Sequence, residues 1–209
     1  MTFRALALLT LAAGVATLLA ALALIGVAPG VPAEARHLRE LKRRVTAPAS
    51  VEPITLDEVR ALPHDPPLAR RAALEARGVS MEGWNQRLLL AGDGDVHLEM
   101  TSAPRRPGGP DTAYVTAEVT PAWRAHGGWS YDRLVEAFRP NTGSPTPWDG
   151  GPRRVRVSGW LLYDYQYDQL PSPWLLKHRA PRVSGWEIHP VTRIEVWDEA
   201  RRAWSELAP

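Results

Sequence analysis

The chain of 209 residues has no cysteine. That excludes disulfides, thiolate metal sites and cysteine nucleophiles together, and leaves any folded domain to rely on its apolar core. Phenylalanine is nearly missing, with 2 copies against 9 tryptophans, so the large rings available to a core or a partner surface are mostly indoles. Charge of one sign is not in excess: 25 Lys+Arg face 23 Asp+Glu, a formal net charge of +2. No whole-molecule field exists to hold a polyanion, and any basic site must be local. Also missing are a Gly-rich phosphate loop, an HExxH helix, a nucleophile elbow, a Cys/His finger and any internal repeat. Their absence removes the commonest nucleotide-binding, zinc-protease and serine-hydrolase signatures.

What is present begins with a long uncharged apolar run over residues 5–28. About 20 apolar residues cross a bilayer as a helix, whereas the apolar core of a secretory signal runs to about 7–15. Residues 1–28 are therefore expected to be a transmembrane anchor, with a cleaved signal sequence and a secreted product as the alternative. Arg4 alone precedes the run, while Arg36, Arg39, Lys42, Arg43 and Arg44 follow it; by the positive-inside rule that count favours a cytoplasmic downstream side. Against it, an apolar segment ahead of one compact domain is the layout of export. The expectation taken is the cytoplasmic membrane with the domain facing the periplasm or cell exterior. Residues 29–54 read as a basic juxtamembrane segment and linker, solvated, with contact to anionic headgroups as the sharper alternative.

Thr55-Leu56-Asp57-Glu58 has capping-box spacing and opens a brief helix. A second helix runs over 68–77, closed by Gly78, so 55–77 is a region of short helices. From Gly78 the apolar period becomes alternating. Strands are expected over 79–90, with Gly83 allowing a bulge or a sharp bend of the kind found at a barrel corner, then over 95–100 and 113–119. A helix over 129–138 starts at Ser130, and further strands follow over 153–164 and 182–197. In the last of these, Trp186, Ile188, Ile194 and Val196 share one parity while Glu187, His189, Arg193 and Glu195 share the other. That is the period of a strand with one buried and one wet face. Trp160 and Leu162 are apolar off parity and need a cover, which either the helix before Gly78 or a partner would supply. Residues 201–209 read as a C-terminal tail.

Three strands, a helix and two more strands is the element order of a five-stranded OB-fold-like barrel, here over residues 78–200, mainly β and preceded by the short helices and the transmembrane helix. In that fold the strands run around the barrel in the order one, two, three, five, four. Parity and order then bring Asp95, His97, Glu118, Asp164, Glu187 and His189 to one outward patch. Imidazoles beside carboxylates suit a divalent ion such as Zn²⁺ or Mn²⁺, or a proton relay. Equally, a satisfied polar network fixes register with no ligand at all. Glu118 and Asp164 are otherwise expected to be solvated or paired with Arg154 or Arg156. The loop over 165–181 carries Tyr165, Tyr167, Trp174, Lys177, His178 and Arg179 and borders the usual ligand face. Tyr167 is its candidate contact, stacking on a base or sugar, unless the loop folds over the barrel. Arg153, Arg154 and Arg156 read as edge-strand charges against sheet association. The expected function is binding of an unknown ligand or protein partner without catalysis or assigned cofactor, with nucleic acid not favoured. The alternatives are a metal-dependent hydrolase acting on phosphodiesters through a metal-activated water, and a structural envelope protein.

The string Gly92-Asp93-Gly94-Asp95-Val96-His97-Leu98, a strand from Gly159 to Asp164, and Gly185-Trp186-Glu187-Ile188-His189-Pro190-Val191 together resemble a pattern in exported bacterial proteins of uncharacterised function. The resemblance covers the whole presumed barrel and implies an OB-fold-like fold and an extracytoplasmic address; it carries no activity. Those proteins often place a histidine shortly after the strand-four aspartate, where this chain has Tyr167. Asp93-Gly94-Asp95 is also similar to the Ca²⁺-holding hairpin of thermonuclease-like OB-fold enzymes. The Arg-bearing segment and further acidic pair those enzymes need have no counterpart here.

Overall fold

The computed structural model describes residues 32–104, 113–138, 152–168 and 182–209. The expected anchor and most of the loop over 165–181, including Trp174, Lys177, His178 and Arg179, lie outside the described residues. Among those described, no helix is long and apolar enough to cross a membrane. The chain divides after His37; residues 38–209 form one compact unit, and the barrel, its helices and the candidate site all lie within it.

In chain order the elements are α1 (Ala33–Leu41), β1 (Glu52–Pro53), α2 (Leu56–Ala61), α3 (Leu68–Glu75), β2 (Gly78–Leu90), β3 (Val96–Thr101), β4 (Val115–Val119), α4 (Pro121–Ala125), α5 (Tyr131–Ala137), β5 (Arg153–Tyr163), α6 (Tyr165–Asp168), β6 (Trp186–Asp198) and β7 (Ala203–Glu206). Strands β2, β3, β4, β6 and β5 pair in that order, and β5 pairs back with β2 to close a mixed five-strand barrel. The pairing of β4 with β6 is parallel and the others are antiparallel. Numbered by barrel strand, this is the expected order one, two, three, five, four. The long β2 makes closure possible: Gly78–Asn85 pairs with β5, and from Trp84 onward the strand pairs with β3.

The even parity of β3 and β6 fills the interior. Val96, Leu98, Met100, Val115, Ala117, Val119, Val157, Leu161, Ile188 and Ile194 are all inaccessible, and Leu134 and Phe138 from the α5 region join them. Side chains of this size each contribute about 1.5–3 kcal/mol by leaving water. The helix expected between the third and fourth barrel strands is α5, with Ser130 Oγ accepting from Arg133 N as its cap. Thr55 and Glu58 cap α2 reciprocally, as their spacing predicts.

Several local expectations change. Gly83 is not the bulge; the register shifts between Asn85 and Arg87, and a Cβ on Gly83 would sit 2.7 Å from the Thr101 carbonyl. Gly83 therefore marks a close backbone approach. Gly78 opens β2 and does not cap α3, whose C-cap is Ala76. Residues 201–209 are no tail: β7 pairs with β6, and Leu207 is buried against the barrel. Nor is β5 an edge, since β2 and β6 flank it. Its arginines form a surface stack, with Arg154 bound to Glu82 (2.9 Å) and lying over Trp197, and Arg156 over Trp204. The cover of Trp160 and Leu162 is split. Helix α3 packs on β5, while Trp160 Nε1 donates to the Thr46 carbonyl and Arg44 lies over its ring. Lys42, Arg44 and Thr46 thus contact the barrel where a solvated segment is expected from sequence.

Candidate functional site

Register and parity place the site. His97 stands directly opposite Glu118, Ala117 stands beside Ile188, and Leu162 faces Glu187. Ala117 and Ile188 point inward, so Glu118, Glu187 and His189 point together to the other face of the sheet. A bulge sets the position of His189: the β5–β6 register slips around Gly159, where a Cβ would lie 2.2 Å from the Pro190 carbonyl oxygen. Only glycine lets β5 approach that bulge.

Glu118 is the hub. His97 Nε2 lies 3.2 Å from its Oε1, His189 Nδ1 lies 2.8 Å from its Oε2, and Asp95 is hydrogen-bonded to it. His189 Nδ1 is also 3.2 Å from Glu187 Oε1, and Glu187 in turn binds Arg182. Arg182 Nε donates to the Ser184 carbonyl at 3.0 Å. Asp164 joins from the side through Lys42, whose Nζ is 2.7 Å from Oδ2. Five of the six patch residues are buried, with Glu187, His189 and Asp164 wholly inaccessible; His97 keeps a partly exposed side chain. The expected wet face of the last strand is dry over Trp186–Val191. Lys42 and Arg182 supply charge partners there, where the alternation alone implied water. The expected pairing of Glu118 and Asp164 with Arg154 or Arg156 does not occur: those arginines bind Glu82 and Glu195.

The electrostatics follow from burial and company. Burial pushes His189 down, but the hydrogen bonds and charges of Glu118 and Glu187 outweigh it and carry the imidazole up to about 10. Burial pushes Glu118 up, yet the His189 hydrogen bond and charge, then His97 and Arg182, hold it well below the usual carboxylate range. Asp95 is carried up to about 7 by burial, opposed by His189 and reinforced by Glu118. Lys42 loses hydration but gains Glu187, Asp164 and Glu118, and its ammonium is held above the ordinary value. At neutral pH His189 and Lys42 thus stand as cations beside the Glu118 carboxylate, while burial holds Asp95 above the usual carboxylate range.

Beside this cluster lies a cleft of about 430 Å³, lined by Leu89, Leu90, His97, Glu99, Tyr167 and Arg182 among others. Leu90 is 46% and Tyr167 45% exposed, so the cleft presents apolar surface and one aromatic face to solvent. Arg182 sits 4.6 Å from the centre of the Tyr167 ring and connects cleft to cluster. Glu99 is buried at the cleft wall, 3.5 Å from Arg87, and burial raises it to about 7 against the pull of Arg87 and Arg182. One of its oxygens, Oε2, has no hydrogen-bond partner among the described residues.

Of the candidates read from sequence, Asp95, His97, Glu118, Glu187 and His189 meet directly; Asp164 meets them through Lys42, and Tyr167 belongs to the cleft. Lys42, Arg182 and Glu99 were missed. Arg182 is placed by an isolated parallel bridge to Tyr114, which only the structure shows. Lys42 carries no sequence signal either, since it arrives from 122 positions before Asp164. No protein-family model matches this chain, and no curated protein or solved structure matches it either, so any function must be argued from the geometry of cluster and cleft.

Proposed function

We propose that the chain is a non-catalytic binding protein: an OB-fold-like domain, anchored to the cytoplasmic membrane by residues 1–28 and facing outward, that takes a small ligand or a segment of a protein partner in the cleft beside Tyr167. The observation that carries this is the cleft itself. A concave site of about 430 Å³ with leucines on one wall and His97, Glu99 and Arg182 converging on the other has the ordinary make-up of a ligand site, apolar for affinity and sparsely polar for orientation. The barrel order supports the OB-fold-like reading, since in that fold ligands lie over the second and third strands and the flanking loops. The uncharged run over residues 5–28 supports the anchor, and the DGDxHL and WEIHPV strings support kinship with exported bacterial proteins.

The hydrolase alternative has weaker support. A metal-activated water must face its substrate, and Asp95, Glu118 and His189 are all buried, with His97 standing between them and the cleft. The structural alternative predicts a self-satisfied cluster, and the exposed Leu90 and Tyr167 favour the binding reading over it.

The test uses 1-anilinonaphthalene-8-sulfonate, an apolar anion, as a fluorescent probe on the full chain. Binding should saturate at one site and be lost in Leu90→Asp and Tyr167→Ala, with melting temperatures unchanged. Unsaturable binding, or binding indifferent to both substitutions, refutes a formed cleft. Protease accessibility of the barrel in intact cells against lysed spheroplasts tests the outward-facing anchor.

A further inference from the structure

The outer faces of β2, β3 and β4 form the floor of the cleft. Arg87, Glu99 and Thr116 stand opposite one another in one row across the three strands, and Leu89 and His97 stand in the row beside it. Residues directly opposite in an antiparallel ladder share a face. Glu99 therefore projects to the same side as Leu89, His97 and Thr116, and all four line the cleft.

The bonding of Glu99 is incomplete. The residue is 2% exposed; Oε1 lies 3.5 Å from Arg87 Nη1, beyond the usual N–H···O range of about 2.7–3.2 Å. Oε2 is closed to water and has no hydrogen-bond partner among the described residues. A buried acceptor left unmet is costly, and a donor arriving from the cleft removes that cost. The terminal torsion of glutamate is soft, so either oxygen can turn to such a donor. Arg87 and Arg182 already bring positive charge to Glu99. A cationic ligand would enter against two guanidiniums, so the missing donor is a neutral one.

The remaining lining shapes the body that carries this donor. Leu89, Leu90 and Ala91 are apolar, and Leu90 and Tyr167 are exposed. Arg182 stacks on the Tyr167 ring and holds it at the mouth. A flat apolar body fits against leucines and a fixed aromatic ring, and about 430 Å³ is within the range of small-molecule sites.

We propose that the cleft binds a small uncharged aromatic molecule with a hydrogen-bond donor on its ring edge, the donor going to the Glu99 carboxylate and the ring lying against Tyr167, Leu89 and Leu90. This rests on the cleft reading above and names the class of ligand it takes. Glu99 is then the group that selects rings with a donor over rings without one, since a buried polar group discriminates by what is left unpaired.

The experiment compares indole with benzofuran, which has the same shape but oxygen in place of the N–H. Each is titrated into the full chain in lipid nanodiscs, and the ¹H–¹⁵N NMR signals of Leu90, Glu99 and Thr116 are followed against free ligand concentration. Indole should bind about 10- to 100-fold more tightly than benzofuran. Glu99→Met should abolish that preference and leave benzofuran binding unchanged. Glu99→Gln keeps an acceptor oxygen without the charge; it should retain part of the preference, and it serves if Glu99→Met does not fold. No shift with indole, equal affinities in the wild type, or a preference left whole in either Glu99 variant overturns the proposal. Tighter binding of N-acetyltryptophanamide than of indole also overturns it, by making a peptide the occupant. Saturable binding of the anilinonaphthalene probe without an indole preference leaves the cleft standing and removes this ligand class; loss of both removes the cleft as well.

Discussion

Replacing Glu118 with glutamine removes one charge from the hub and keeps its shape. No cavity forms, so the loss is electrostatic. His189 then faces Glu187 alone, and His97 faces an amide. Two routes give the size. Removing one partner of a buried ion pair costs about 3–5 kcal/mol. Independently, the rise of His189 from 6.5 to about 10 corresponds to about 5 kcal/mol divided between Glu118 and Glu187. Both are consistent with a loss of about 3 kcal/mol, or about 6–12 °C in melting temperature for a domain of this length. Asp95 offsets a little, because without Glu118 beside it the carboxyl ionises more readily, but burial is its larger cause and does not change. The pH dependence gives a sign. The folded value of His189 lies above its unfolded value, so its stabilisation is complete below pH about 6.5 and is lost as pH rises through about 10. Urea denaturation of metal-free protein at pH 6, 8 and 10 should show wild-type stability falling across that window and Glu118→Gln falling less. Equal stability at pH 6, or parallel pH profiles, would refute the hub.

Lys42→Met should destabilise by about 3 kcal/mol at pH 7 by stranding Asp164 in a dry site, measured by urea denaturation. Gly159→Ala places a methyl against the Pro190 carbonyl; a loss of about 1–3 kcal/mol is expected, with shifted His189 imidazole resonances by NMR. Leu134→Ala should cost about 2–5 kcal/mol, read by thermal melting, since Leu134 is wholly buried in the barrel interior. Arg154→Ala acts on the surface stack over Trp197 and Trp204, and should lower the melting temperature while leaving probe binding at the cleft untouched.

Much of the barrel was legible because its strands alternate. Val96, Leu98 and Met100 against His97 and Glu99 announce a strand and its inner face, and the element order fixes which strands adjoin. From those two facts the meeting of Asp95, His97, Glu118, Glu187 and His189 follows without coordinates. The dryness of that meeting does not follow. Alternation distinguishes two faces of a strand, but it cannot tell water from a lysine and an arginine brought over the second face by distant segments. Lys42 was hidden inside a basic run that reads as solvated, and Arg182 preceded its strand by four residues. β1 and β7 were missed for a different reason: two and four residues are too short to display a period. The β5 arginines were misplaced because barrel closure turns an apparent edge into a strand paired on both sides.

The central claim is that Glu118 joins two imidazoles from separate strands in one buried network. Long-range ¹⁵N NMR of the histidine rings in metal-free protein, titrated from pH 5 to 11, tests it most directly. The expected result is that His189 stays doubly protonated until pH about 10, and that Glu118→Gln shifts the signals of His189 and His97 together. Titration of His189 near its ordinary value of 6.5, or a Glu118→Gln protein in which only one ring responds, would contradict it.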